Sequence, residues 1–167
     1  MEQIFVVRDI DYITIARVFV AFVLGGLVGF ERERVQRPAG LRTHMLVAAG
    51  SACFTVASIY GFQGLGANSD PARLAAQIIT GIGFLGAGAI FRTGDTVKGI
   101  TTASSIWITA AIGILVGVGM IYLAVFTTIM TWIVLFVIKT VEVRFERNQR
   151  RSGDPYMNQP GDDTTKR

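Results

Sequence analysis

The 167-residue chain has little charge, one cysteine and one histidine. Only 17% of its residues are charged, against about 25% in an average soluble domain, and 51% are hydrophobic, so a soluble globular domain is disfavoured. The single cysteine, Cys53, excludes an intramolecular disulfide. The single histidine, His44, is a weak metal signal without a second histidine or cysteine, and the identity of any metal stays open. The 19 glycines and 11 phenylalanines instead indicate an apolar environment with close backbone contacts.

The sequence also lacks a recognisable catalytic constellation. It has no Ser/His/Asp order, no paired carboxylates on one predicted helix and no phosphate loop ending in Gly-Lys-Ser. The run from Gly81 to Gly88 formally matches the dinucleotide fingerprint, but it lacks a preceding strand and lies in an apolar segment, which argues against a nucleotide-binding fold. We therefore expect no enzyme activity, no cofactor and no nucleic-acid partner.

Four charge-poor stretches predict an all-α, polytopic membrane helix bundle. Three of them hold 18 residues each, roughly 27 Å as a helix, which is close to the hydrocarbon thickness of a bilayer of about 30 Å. The fourth, between Lys98 and Lys139, is about twice as long as one span and must fold back, with the turn predicted at Gly117-Val118-Gly119. Five transmembrane helices result, at about 13–30, 45–62, 74–91, 100–117 and 120–138.

The distribution of basic residues predicts the orientation of the bundle. Of the sixteen lysines and arginines, thirteen lie in the first loop, the third loop and the C-terminal segment, which therefore belong on the cytoplasmic side. The external segment 1–12 carries three acids and lacks the basic start of a signal peptide, so we expect no processing. Residues 139–167 form a basic cytoplasmic tail, disordered from about 152; residues 139–151 could continue the last helix as a stop-transfer flank or form a lipid-specific site.

Glycines are spaced for close helix contacts in three of the predicted spans. Two G-x-x-x-G pairs, in the first and fourth spans, predict packing surfaces, with self-association as the alternative. In the third span the glycine run indicates either close packing or a broken helix whose backbone faces a polar cavity. The predicted packing positions are Gly25, Gly29, Gly81, Gly83, Gly86, Gly88, Gly113 and Gly117.

Several polar residues need an explanation in or beside the membrane. Arg17, four residues inside the first span, must reach the outer surface or pair with an acid such as Asp70. Asp70 and Pro71 fit the N-cap and first position of the third helix, and Gln77 places a hydrogen-bonding group within it. The hydroxyls at the start of the fourth helix could bond carbonyls one turn back or line an entrance: Thr101, Thr102, Ser104 and Ser105.

The first loop, residues 31–44, mixes acids with arginines, although a pure topology signal needs only the positive charges. Glu31 and Glu33 neutralise neighbouring arginines, or they build a surface that recognises a partner or gathers cations. His44, which ends this loop, could titrate near neutral pH.

Several motifs, taken in order, resemble the MgtC/SapB family of bacterial membrane proteins over roughly residues 25–119. They are Glu31-Arg32, Ala39-Gly40-Leu41-Arg42-Thr43, Asp70-Pro71-Ala72-Arg73-Leu74-Ala75-Ala76-Gln77, Thr80-Gly81-Ile82-Gly83-Phe84-Leu85-Gly86-Ala87-Gly88, Val97-Lys98-Gly99-Ile100-Thr101-Thr102-Ala103 and Trp107. The resemblance implies a five-helix protein of the bacterial inner membrane, in a family tied to magnesium limitation, acid stress and, for some members, virulence. Some members resemble regulators that contact the proton-translocating ATP synthase.

Two departures from the family pattern limit what is carried over. The virulence-type members have a soluble, ACT-like C-terminal domain, whereas this chain resembles the short SapB-like branch, so virulence is not transferred. His44 and Ile108 stand where the MgtC type tends to have asparagine and cysteine, so roles assigned to those positions are not transferred either.

Two functional hypotheses follow. The first is a non-enzymatic membrane protein that supports adaptation to magnesium limitation or acid and ionic stress by regulating a partner complex; its candidate residues are Glu31, Arg32, Arg42, Thr43, Lys98, Thr101 and Thr102. The second is a transporter or channel for magnesium, potassium or protons, most readily as a homo-oligomer, with a midplane site framed by Asp70, Arg73, Gln77 and residues 81–88.

Overall fold

The structure, a computed structural model, describes residues 2–61, 70 and 72–151; of these, 2–11, Leu74 and 138–151 are described by their backbone alone. The predictions for Pro71, for the loop 62–69 and for the tail from 152 lie outside the described residues. The elements are α1 Glu2–Arg34, α2 Leu41–Tyr60, α3 Ala72–Gly88, β1 Phe91–Thr93, β2 Thr96–Lys98, α4 Ile100–Val118 and α5 Ile121–Arg151. The predicted helical architecture with five helices is confirmed, with one short hairpin added.

Three helices are long and apolar enough to cross a membrane. They cover Tyr12–Arg34, Leu41–Tyr60 and Ile100–Val118, whereas the apolar parts of the other two helices, Ala75–Gly88 and Ile121–Val137, are shorter. The protein is therefore a membrane protein, while the number of crossings and the orientation stay predictions. Among the described residues the chain forms two compact units, the first ending at Ile133 and the second beginning at Val134, within α5.

In the first unit, α2 packs against α1, α3 and α4, and α1 also contacts α4. The buried face of α2 repeats at helical spacing through His44, Ala48, Ser51, Ala52 and Thr55. It consists of small and polar side chains, so neighbouring helices can approach closely and hydrogen-bond within the bundle.

A two-stranded antiparallel hairpin joins α3 to α4, and the sequence analysis did not anticipate it. Phe91 pairs with Lys98 and Arg92 with Val97, around a turn at Gly94-Asp95 in which Gly94 has a φ of +60°. The third helix therefore ends at Gly88, three residues before the predicted limit at Phe91, because the chain turns into β1.

A glycine with positive φ flanks α4 at each end. Gly99 precedes α4 with a φ of +92°, and a Cβ there would collide with the Ala89 carbonyl. Gly119 follows α4 with a φ of +99° and donates its N–H to the carbonyls of Leu115 and Val116. The chain therefore leaves the helix at Gly119, the last residue of the turn predicted at Gly117-Val118-Gly119.

Candidate functional site

Five polar side chains are buried together where α1 ends and where α2 and α4 begin. We call this group the polar cluster, and the end of the bundle that holds it, with the α1–α2 connection and the hairpin, the loop end. Each residue of the polar cluster exposes less than one-tenth of its surface to solvent. The members are Glu31 and Arg32 from α1, His44 from α2, and Thr102 and Ser105 from α4.

Arg32 ties α1 to α4 through an incompletely paired guanidinium. Its Nη2 donates to Thr102 Oγ1 at 3.3 Å, and its Nη1 lies 3.9 Å from Glu31 Oε2. Arg32 Nε and Glu31 Oε2 are buried without a hydrogen-bond partner among the described residues. Because a buried polar atom without a hydrogen-bond partner is costly, a stability role alone does not explain this arrangement.

His44 joins α2 to α4 from the centre of the polar cluster. The ring is fully buried, with Nδ1 2.8 Å from the Gly40 carbonyl oxygen and Nε2 3.0 Å from Ser105 Oγ. Ser105 Oγ in turn lies 2.8 Å from the Thr102 carbonyl oxygen. His44 is therefore an internal hydrogen-bonding residue, held against α1 by the close approach of Gly25 and Gly29.

The two acids of the first loop have different environments. Glu31 is buried in the polar cluster, whereas Glu33 is exposed and its Oε2 accepts the N–H of Leu41 at 2.7 Å. A carboxylate on a free N–H at the start of α2 also complements the helix dipole. Glu33 thus caps a helix. Glu31 is instead buried beside Arg32, and its Oε2 has no hydrogen-bond partner among the described residues.

Around the polar cluster, the loop end presents exposed basic side chains. They include Arg42 and Lys98 of the predicted site, together with Arg34, Arg37 and Arg92. Arg92 pairs with Asp95 at 3.2 Å across the hairpin turn. Of the remaining predicted residues, Thr43 is partly buried and Thr101 is exposed, so the predicted set divides into an internal group and a surface group.

Arg17 lies at the opposite end of the bundle, beside the last turns of α2 and α4. Its Nη1 donates to the Gly117 carbonyl at 3.0 Å and to the Tyr60 hydroxyl at 3.3 Å. A Cβ at Gly119 would stand 3.0 Å from its Nη2. The acceptors that the structure gives for Arg17 are thus neutral groups at this end of the bundle and not Asp70, while the reach to the outer surface stays a prediction.

The predicted midplane site is only partly assembled. Asp70 is exposed and its Oδ1 accepts the N–H of Ala72 at 2.8 Å, as an N-terminal cap of α3 does, and Arg73 is exposed next to it. Gln77 is exposed toward a groove of about 470 Å³ between α2 and α3. Apart from Gln77 and Ser51 the groove is lined by apolar residues and glycine: Leu46, Val47, Gly50, Phe54, Ile78, Gly81, Ile82 and Leu85.

The predicted packing glycines also divide into two groups. Gly25, Gly29, Gly113 and Gly117 all face α2 so closely that an added Cβ would meet an α2 atom or the residue before it within 3 Å. Gly86 lies in ordinary contact distance of Ala103. For Gly81, Gly83 and Gly88, no described atom lies within 4 Å of such a Cβ, so the close packing predicted there is not found within the described residues.

Sequence reasoning missed Ser105 as the partner of His44 and Tyr60 as a partner of Arg17. One signal was available for Ser105: Thr102, Ser105, Thr109, Gly113 and Gly117 recur at helical spacing, and the glycine pair already marked that face as a contact. The predicted bonding of hydroxyls to earlier carbonyls occurs for Ser104, with Ile100, and for Ser105, with Thr102. No group of three potential metal-ligating side chains occurs in the described part of the chain.

Comparison with known proteins gives one family. A family model described as the MgtC family matches residues 18–144. Protein MgtC of Brucella abortus (strain 2308) is 51% identical over 109 residues, which cover 65% of this chain and 44% of that protein. The putative magnesium transporter YhiD of Escherichia coli (strain K12) is 42% identical over 134 residues, covering 78% and 62%.

A third relative, protein MgtC of Salmonella typhimurium (strain 14028s / SGSC 2262), is 46% identical over 115 residues, covering 69% of this chain and 48% of that protein. The chain therefore spans between 44% and 62% of the length of these relatives. No solved structure matches it.

Proposed function

Because the chain belongs to the MgtC family, we propose that it is a multi-pass protein of the bacterial inner membrane that supports adaptation to magnesium limitation or acid and ionic stress. In this proposal it catalyses no reaction and acts on a partner membrane complex, for which the family resemblance suggests the ATP synthase. The N-terminus lies outside and the loop end faces the cytoplasm, as the distribution of basic residues favours.

One observation carries the regulatory proposal: exposed basic side chains stand on a loop end that buried hydrogen bonds fix in place. The Arg32–Thr102 contact joins α1 to α4, and the His44–Ser105 contact joins α2 to α4. Arg42 lies in the first turn of α2 and Lys98 ends β2 just before α4, so these contacts fix the elements next to both exposed side chains. A preorganised charged surface favours a specific acidic partner, because little conformational entropy is lost on binding.

Complementation tests this proposal. In a strain that lacks the gene, Arg42→Ala should fail to restore growth in low magnesium, although the protein reaches the membrane in normal amounts, because Arg42 is exposed and lies outside the polar cluster. Arg73→Ala, an exposed arginine at the start of α3, should complement fully. Full complementation by Arg42→Ala would overturn this site assignment.

A second candidate, a cation transporter, is favoured by the groove between α2 and α3. Gln77 and Ser51 place polar groups in it, and Gly81 leaves the backbone of α3 open toward it. Five helices are few for a solitary transporter, so a homo-oligomer would be needed.

Flux through proteoliposomes distinguishes the two candidates. A transporter should move magnesium, potassium or protons, and Gln77→Ala should abolish that flux. The regulatory proposal instead expects no flux of any of these ions, and Gln77-dependent flux would replace it with the second candidate.

A further inference from the structure

The hydrogen bonds around His44 do not balance when the ring is neutral. Three contacts run in series from the Gly40 carbonyl to His44 Nδ1, from His44 Nε2 to Ser105 Oγ, and from Ser105 Oγ to the Thr102 carbonyl, at 2.8, 3.0 and 2.8 Å. Both terminal carbonyl oxygens can only accept. Three hydrogen bonds between two terminal acceptors therefore require three protons.

A neutral imidazole and a serine hydroxyl supply only two protons. In the neutral ring, Nδ1–H donates to the Gly40 carbonyl, and Nε2 carries a lone pair. The single Ser105 proton can then be donated either to Nε2 or to the Thr102 carbonyl, but not to both. A protonated ring donates from both nitrogens, and Ser105 then accepts from Nε2 while it donates to Thr102. All three hydrogen bonds thus form when the ring is protonated, and only two form when it is neutral.

We infer that His44 is a buried proton-binding site whose protonated ring completes the hydrogen-bond chain from Gly40 to Thr102. Uptake of one proton from solution forms the Nε2–H bond of the ring and adds one hydrogen bond to the chain. With a neutral ring, the Ser105 bond to Nε2, between α2 and α4, competes with the Ser105 bond to Thr102 within α4. Proton binding lets both form, so the hydrogen bond between the two helices no longer competes with one inside α4. The inference is independent of the proposed partner and of any transport.

Charged groups on the surrounding elements set the conditions for proton uptake. From α1, Arg32 opposes a second positive charge, and Glu31 offsets it with a buried carboxylate whose Oε2 has no hydrogen-bond partner among the described residues. Glu33 caps α2, and Arg42 on α2 is exposed. α4 has no charged residue, α3 has only Arg73, and the charged hairpin residues are exposed. The ring is fully buried, and a buried cation is costly, so we expect the ring to be neutral in neutral solution and to take up its proton on acidification.

Because His44 is the only histidine, one measurement isolates it. The full chain is prepared with ¹⁵N-labelled histidine and an affinity tag that contains no histidine, placed in lipid nanodiscs, and followed by ¹⁵N NMR between about pH 8 and about pH 4. We expect a reversible change from a ring with one protonated nitrogen, Nδ1, to a ring with both nitrogens protonated. A wild-type ring that stays neutral down to about pH 4 would overturn the inference, and this test requires no variant.

Two neighbouring serines provide matched variants. Ser105→Ala removes the acceptor of the Nε2 proton, so half-conversion should require a pH about one unit lower than in the wild type. Ser104→Ala should titrate as the wild type does, because Ser104 is exposed and bonds only the Ile100 carbonyl. Equal titration of the wild type and Ser105→Ala would show that the chain through Ser105 plays no part, and the inference would fail.

Discussion

Two arginines of α1 hold the two ends of α4, and they do so in opposite electrostatic settings. Arg17 donates to the Gly117 carbonyl in the last turn of α4, where the helix dipole favours a cation. Arg32 donates to the Thr102 hydroxyl in the first turn, where the same dipole disfavours one. Its Nε has no hydrogen-bond partner among the described residues, and its nearest acid is 3.9 Å away.

The difference separates a structural cation from a functional candidate. Arg17 satisfies carbonyl and hydroxyl acceptors that would otherwise be left inside an apolar bundle, so packing explains it. Arg32 and Glu31 are buried with unfilled hydrogen-bonding capacity, which costs stability. Such a cost is typical of a site that is kept for its function.

The largest expected effect comes from removing one partner of the buried pair. Arg32→Ala leaves Glu31 buried without a counter-ion and should lower the free energy of unfolding by about 3–5 kcal/mol, measured by denaturant titration in detergent. The double variant Glu31→Gln with Arg32→Gln removes both charges and should recover a large part of that loss. A loss below about 1 kcal/mol in Arg32→Ala would show that the pair is not buried as described.

The next largest loss of stability is expected at the glycines that pack closely against α2 between the two ends of the bundle. Gly113→Ala places a Cβ against the Ala48 backbone and 2.8 Å from Ser51 Cβ, and it should cost about 2–3 kcal/mol in the same titration. Gly83→Ala, where no described atom lies nearby, should be neutral or stabilise by up to about 1 kcal/mol. Equal costs at both positions would contradict the division of the glycines into two groups.

A smaller effect is expected at the opposite end of the bundle. Arg17→Ala removes the cation from the C-terminal end of α4 and should cost about 1–2 kcal/mol, with growth in low magnesium retained. Tyr60→Phe removes one neutral acceptor and should cost about 0.5–1 kcal/mol. If Arg17→Ala abolished complementation while the protein remained folded in the membrane, the contrast between the two arginines would be wrong.

The helices could be predicted from the sequence because their apolar stretches approach the thickness of a bilayer. The glycine break after α4 was predictable for a similar reason, since Gly117 and Gly119 interrupt a stretch too long for one span. The hairpin had a local signal that was not used, because Gly94-Asp95 separates two short segments with strand-forming residues.

The polar cluster could be predicted only as a set of residues. Glu31, Arg32 and Thr102 were identified as candidates, but 70 positions separate Arg32 from Thr102, and sequence spacing does not specify which helices meet. The same limit applies to Arg17, for which the outer surface or an acid was predicted, whereas a carbonyl 100 positions away accepts its hydrogen bond. Hydrogen bonds between distant helices depend on packing, which one sequence does not encode as a local pattern.

Crosslinking in living cells tests most directly whether the loop end acts on a partner complex, as proposed. A photoreactive amino acid at position 42, and in a second strain at position 122 of α5, would be activated under magnesium limitation and the adducts identified by mass spectrometry; both side chains are exposed. We predict that position 42 captures one membrane complex that position 122 does not capture. No adduct at position 42, or the same adducts at both positions, would contradict the account.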